Sequence, residues 1–209
     1  MDGTYGARMK ETFRRILELP PEKSDNAVRV RRVLDFAKRF WGKPKSPSLL
    51  DIGSGLAVFP FRMKEAGWRV TALDPDPRAA AHARKEAGVE SINADFLKWK
   101  TKSTNVFDAI SINKVLEHID NPVRMLIKAW RMVRAGGFLY VEVPDVAASN
   151  EGPGREEFYV EHLHVFSPLS LRASCKKAGF KLANLQRIKD PSGKYTIFGF
   201  ARLNENSHI

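Results

Sequence analysis

The sequence predicts an α/β protein, a doubly wound, mostly parallel sheet that ends in an antiparallel hairpin. Three observations carry that reading. From residue 48 onward, short apolar runs alternate with helical stretches. The first run opens into Gly53-Ser54-Gly55, a glycine turn at the carboxyl end of a buried strand. The last two runs are joined by Asp190-Pro191-Ser192-Gly193, a turn short enough to force antiparallel pairing.

In order along the chain, residues 9–19 and 26–41 read as amphipathic helices. In the second, Val28, Val33, Leu34, Phe36, Ala37 and Phe40 share a broad face, with Ser24, Asp25 or Asn26 available as its cap. Trp41-Gly42-Lys43-Pro44-Lys45-Ser46-Pro47 is rich in helix breakers and marks the expected boundary between a helical appendage, 1–47, and the main domain, 48–209. Strands are expected at Leu49–Ile52, Arg69–Leu73, Val89–Asn93, Phe107–Ile112 and Gly137–Val143, with helices near 57–66, 77–87 and 121–134. A helix over Ser167–Ala178 then precedes strands at Lys181–Ile188 and Tyr195–Leu203.

Composition narrows the class. A chain of 209 residues with 43% hydrophobic and 28% charged residues has the balance of a globular domain. No apolar run approaches the ~20 residues that span a bilayer. The opening Met1-Asp2-Gly3-Thr4-Tyr5-Gly6 lacks a secretory leader's apolar stretch, so a cytoplasmic protein is expected. The single cysteine, Cys175, excludes an intramolecular disulfide and a cysteine-rich zinc site. The net charge is +11, of which residues 1–47 carry +6 (12 basic against 6 acidic). Such a surface attracts anionic partners, although a solvated helical face is the simpler explanation, because no aromatic residues interleave regularly with the charges.

Glycines at 53 and 55 let the backbone turn sharply and approach a ligand without a Cβ in the way. Asp74 closes the next strand, 19 residues beyond Gly55, where a carboxylate accepts hydrogen bonds from a ribose diol. A dinucleotide fingerprint needs a third glycine at position 58, which is Val58. An adenosine without a pyrophosphate makes smaller demands on the loop.

These residues resemble the class I S-adenosylmethionine (SAM)-dependent methyltransferases over about residues 48–188. Asp51-Ile52-Gly53-Ser54-Gly55 is similar to the first motif of that family, and Leu73-Asp74-Pro75 to the second. Asn93-Ala94-Asp95-Phe96 resembles the third, and Phe107–His118 the fourth. Val133–Leu139 resembles the turn into the fifth strand. The resemblance implies a Rossmann-like seven-stranded sheet of order 3-2-1-4-5-7-6, with SAM as cofactor and S-adenosylhomocysteine as product. It further implies cofactor contacts from Asp51, Gly53, Ser54, Gly55, Asp74, Pro75, Ala94, Asp95, Phe96, Asn113, Lys114 and Val115. Asp74 would hold the ribose, Asp95 the adenine amino group, and Phe96 the ring.

Methylation of an oxygen also needs a proton removed, which directs attention to histidines. His162 and His164 lie in Tyr159-Val160-Glu161-His162-Leu163-His164, after the fifth strand. The run is similar to the Tyr-x-Glu-His stretch of sugar-methylating relatives, which supplies acid–base groups. Tyr159, Glu161, His162 and His164 are therefore the catalytic candidates, with His162 first; the alternative is that Glu161 and His162 only seat the loop. His118 is expected to shape its own loop. No metal is required by this pattern, although Glu161, His162 and His164 offer ligand-type side chains.

The expected activity is SAM-dependent methylation of a small molecule or glycan, at oxygen. A nucleic-acid methyltransferase is the alternative suggested by charge. Against it, Asn113-Lys114-Val115-Leu116 lacks the Pro-Pro-aromatic run typical of amino-nitrogen methylation of DNA bases, and no proline precedes Cys175. A SAM-binding regulator without activity is the third reading. The N-terminal helices are expected to act as a lid, with Arg29 or Arg32 available to a carboxylate. Oligomeric state is left open.

Overall fold

The computed structural model describes residues 3–42, 45–101, 104 and 106–204. Lys43 and Pro44 of the expected linker lie outside the described residues. Seven strands form one sheet in the order β3-β2-β1-β4-β5-β7-β6, as the resemblance implied. The chain divides into two units, Met1–Trp99 and Lys100–Ile209.

The first unit opens with α1 (Gly3–Leu17) and α2 (Asp25–Trp41). Ser24 caps α2 by accepting the Ala27 amide at 3.2 Å, which satisfies one of the helix's orphan donors. β1 (Ser48–Ile52) is buried at all five positions, the signature of a central parallel strand. It pairs in parallel with β2 (Arg69–Asp74), which pairs in parallel with β3 (Glu90–Asn93). Between them run α3 (Val58–Glu65) and α4 (Pro77–His82), the latter continuing into a wider π turn at Ala83–Ala87. Asp76 caps α4 and Pro77 fills its first position, where no amide is missed.

The N-terminal helices pack onto this unit rather than standing apart from it. Phe13 is buried and meets the Phe61 ring edge-on at 5.5 Å and the His82 ring at 5.2 Å. Lys10 pairs with Glu86 at 2.9 Å, and Arg62 donates to the Leu17 carbonyl at 2.7 Å. Arg29 is buried, with its guanidinium donating to Asn26 at 3.0 Å.

The second unit holds β4 (Phe107–Asn113), α5 (Pro122–Met132), β5 (Val133–Pro144), α6 (Pro168–Lys177), β6 (Phe180–Lys189) and β7 (Tyr195–Leu203). β4 and β5 are parallel, whereas β7 runs antiparallel to both β5 and β6. The Asp190–Gly193 turn closes through the Gly193 amide, 2.7 Å from the Asp190 carbonyl. Tyr140, Phe138 and Phe200 are the largest fully buried side chains. α5 stops two residues earlier than its apolar pattern predicts, because Val133 already pairs with Phe107. A register shift follows, and Gly137 sits where a Cβ would come within 2.5 Å of the Asp108 carbonyl. Only glycine fits there.

Candidate functional site

In the first unit, the turn after β1 is fastened to the tip of β2. The Gly53 amide donates to the Leu73 carbonyl at 2.8 Å, and Ser54 Oγ donates to the Asp51 carbonyl at 2.9 Å. Gly53 and Gly55 take φ of 74° and 50°, and Ala57 takes 55° at the start of α3, so the turn is left-handed at three positions. Asp74 is buried and accepts two backbone amides, Gly55 through Oδ2 at 2.8 Å and Asp76 through Oδ1 at 2.9 Å. Each oxygen keeps a second lone pair for a diol. A Cβ built on Gly55 meets nothing within 4 Å, so the space beside the turn is open to a ligand.

The third strand adds its own carboxylate beside the same strand tip. Ala94 donates to the Asp74 carbonyl at 3.1 Å, and the Asn93 amide group donates to the Asp74 and Pro75 carbonyls. Phe96 is buried. Burial alone would raise the Asp95 pKa, but the Leu97 amide and the Lys98 ammonium outweigh it and hold the carboxyl below its ordinary value. The structure thus brings Asp51, Gly53, Ser54, Gly55, Asp74, Pro75, Ala94, Asp95 and Phe96 to one end of β1, β2 and β3. Elsewhere in this unit, α1, α2 and α3 border an open cleft of about 490 Å³ lined in part by Ile16, Leu17, Val30, Leu34 and Val58.

In the second unit, β4 ends at Asn113 and leads through Lys114 and Val115 into a 3₁₀ turn, Leu116–His118. Lys114 holds φ of 55°, rare outside glycine, and its ammonium donates to Thr196 on β7. The turn is laced to the loop after β5: Leu163 and His164 donate their amides to the Glu117 carbonyl at 2.8 and 3.2 Å. That loop is itself anchored to the hairpin. Glu157 is buried, pairs with Arg155 at 2.9 Å and accepts the Tyr195 amide at 2.7 Å. Burial would raise the Glu157 pKa, but Arg155 and the Tyr195 amide hold it below its ordinary value.

Of the four catalytic candidates, only His162 enters a cluster of functional side chains. Its ring packs edge-on against His118 with centroids 4.8 Å apart. Glu117 completes the group: one ligand-type atom from each of Glu117, His118 and His162 lies within 4.8 Å of the others. His162 Nδ1 lies 2.9 Å from the Glu157 carbonyl and His118 Nδ1 lies 3.1 Å from the Glu161 carbonyl. In the tautomers that donate these bonds, both Nε2 lone pairs are free. Glu161 is exposed and engages His118 through its carbonyl, Tyr159 is 55% exposed, and His164 Nε2 lies 3.4 Å from the Asp120 carbonyl.

Glu117 was not singled out by sequence. It is buried, with a residue exposure of 1%, and neither carboxylate oxygen has a hydrogen-bond partner. Burial pushes its carboxyl up to about 7, its own amide and Lys114 pulling the other way and Glu142 adding to the rise. The available signal was the repetition of Glu-His after two strands, at 117–118 and 161–162.

A family model described as a methyltransferase domain matches residues 23–185. Among curated relatives, the chain is 28% identical over 98 residues to a ubiquinone biosynthesis O-methyltransferase of Xanthomonas oryzae pv. oryzae (strain PXO99A), covering 44% of this chain and 41% of the relative. It is 31% identical over 103 residues to the ubiquinone/menaquinone biosynthesis C-methyltransferase of Zymomonas mobilis, covering 46% and 42%. The chain thus spans less than half the length of these relatives. In fold it is similar to the Burkholderia thailandensis 1,6-didemethyltoxoflavin-N1-methyltransferase, solved with its acceptor and S-adenosylhomocysteine. That likeness has a TM-score of 0.66 at 21% identity over 96% of this chain and 88% of the other. The glycine turn, the stapled Asp74 and the strand order lead to the same place as the family match: this chain belongs to the methyltransferase-domain family and has the class I SAM-dependent methyltransferase fold.

Proposed function

We propose that this protein uses SAM to methylate a hydroxyl oxygen of a small, partly apolar molecule. The observation that carries the cofactor is the Asp74 carboxylate, held by the Gly55 and Asp76 amides beside open space at Gly55. SAM supplies a methyl group on a sulfonium, and the protein's task is positioning and proton removal. Asp74 orients the ribose, Asp95 accepts from the adenine amino group, and Phe96 walls the ring. The resemblance also assigns Asn113, Lys114 and Val115 to the cofactor.

The observation that favours oxygen is the cluster of Glu117, His118 and His162, three groups suited to handling a hydroxyl proton. As the acceptor's O–H bond breaks, its proton passes to this cluster or through it to water. The oxygen pair forms the new bond to carbon while the carbon–sulfur pair stays on sulfur. Tyr159, Glu161 and His164 lie on the same loop and are assigned to the acceptor. The loop also exposes Val160 at 94% and Leu163 at 54%, which suits an apolar acceptor. The names of the O-methyltransferase relatives agree with that class.

The test is transfer of labelled methyl from SAM to fractionated small molecules, glycans and RNA. Label in a hydroxyl-bearing small-molecule fraction is expected; label in RNA alone would instead make the +11 charge the guide to the acceptor. With an acceptor in hand, His162→Ala and His162→Gln are both expected to lower kcat by about 10²–10⁴ with SAM affinity intact. A Gln variant that keeps most activity would reduce His162 to a residue that seats the loop.

A further inference from the structure

We propose that Glu117, His118 and His162 bind a divalent first-row transition-metal cation, with coordination positions left open for an acceptor oxygen. The site lies wholly within the second unit and rests on four observations. The three side chains offer one carboxylate and two imidazole donors, a set suited to zinc, iron, cobalt or nickel. Their donor atoms lie within 4.8 Å of one another. Around one tetrahedral cation, ligands about 2.1 Å away stand about 3.4 Å from one another, so closure draws the donor atoms together by up to about 1.4 Å.

The third observation is the orientation of the rings. Each histidine turns Nδ1 to a backbone carbonyl, His118 to Glu161 at 3.1 Å and His162 to Glu157 at 2.9 Å. This is the arrangement that fixes a tautomer and presents Nε2 to a metal. The Glu157 carbonyl is in turn fixed, since its side chain is pinned by Arg155 and the Tyr195 amide.

The fourth is Glu117 itself. A carboxylate 1% exposed with neither oxygen hydrogen-bonded is costly to bury, and buried polar groups almost always find partners. The nearby Lys114 attracts the carboxylate through space, but neither carboxylate oxygen is hydrogen-bonded to it. A cation supplies what the protein withholds. The site itself is independent of the acceptor; its catalytic role rests on the function proposed above. In that role the charge stabilises the acceptor oxygen as its proton leaves to water, before the oxygen pair takes the methyl carbon from sulfur.

The test is a Zn²⁺ titration of the chelator-stripped full chain against a chromophoric chelator, with Co²⁺ loading followed by visible absorption. One cation per chain is expected. Glu117→Gln and His162→Ala should each weaken binding by about 100-fold or more, and His164→Ala should leave it unchanged. S-adenosylhomocysteine affinity, measured on the same samples, reports whether the variants remain folded. If Glu117→Gln fails to fold, His162→Ala carries the test, because that side chain sits on a half-buried loop. Absence of a stoichiometric cation, or undiminished binding in the folded variants, would overturn the site. A wild-type protein that methylates a hydroxyl without binding any cation also overturns it while sparing the proposed function. Cation binding without methyl transfer supports the site and sinks the function.

Discussion

In the proposed function Asp74 does two jobs with one carboxylate: it holds the ribose, and it staples the glycine turn before any ligand arrives. Asp74→Ala therefore removes the support of the Gly55 amide as well as the ribose acceptor. It should weaken SAM binding by roughly 1.5–3 kcal/mol, measured by calorimetry. Asp74→Asn should fare little better, because an amide nitrogen facing the Gly55 or Asp76 amide donor repels it. Gly55→Ala separates fold from binding. With φ of 50° and no atom within 4 Å of the added Cβ, it should cost only about 1–2 kcal/mol of stability. Its methyl group enters the ligand's space, so cofactor affinity should fall by more than stability does. An unchanged affinity would place the ligand elsewhere. Asp74 was legible because a carboxylate at a strand tip follows from the local pattern. Glu117 was not, because its burial is a property of the fold, in which even its carbonyl is bonded by amides over 40 positions away, those of Leu163 and His164.

At the scale of elements, α1 is held to the first unit by Phe13 and by the Lys10–Glu86 pair. Beneath Phe13 lies His82, buried and with Nε2 lacking a hydrogen-bond partner. Burial lowers its pKa below the ordinary 6.5, with Lys10 adding to the fall, while Glu86 and the Leu56 carbonyl oppose it. The unfolded chain then binds the proton more readily than the folded one. Stability from this residue is present above pH 6.5 and is lost as pH falls from there toward the folded-state pKa. Thermal melts should fall more steeply between neutral and mildly acid pH for wild type than for His82→Leu. Parallel curves would show that His82 does not govern this part of the fold. The two N-terminal helices were legible from their periodicity, as was the breaker-rich end of α2. Their attachment was not, because the Phe13–Phe61 and Phe13–His82 contacts are tertiary and leave no mark on local pattern. α2 ends at Trp41, the first residue of the breaker-rich stretch, and the division into two units falls separately, between Trp99 and Lys100.

For the molecule as a whole, the alternation of strands and helices and the short Asp190–Gly193 turn pointed to a mostly parallel sheet with a terminal hairpin, and the resemblance implied the strand order that the structure has. The elements were legible because parallel strands buried on both faces read as continuous apolar runs, and the hairpin is closed by a four-residue turn. The boundary of α5 with β5 escaped because Val133 suits either element and only its pairing with Phe107 decides. The claim on which everything else depends is that this fold binds SAM and not a dinucleotide. The most direct measurement is calorimetric titration of the full chain with S-adenosylhomocysteine and, separately, with NAD. One S-adenosylhomocysteine per chain with no heat from NAD is the predicted result, accompanied by a rise in melting temperature. Saturable NAD binding with none of S-adenosylhomocysteine would contradict the account.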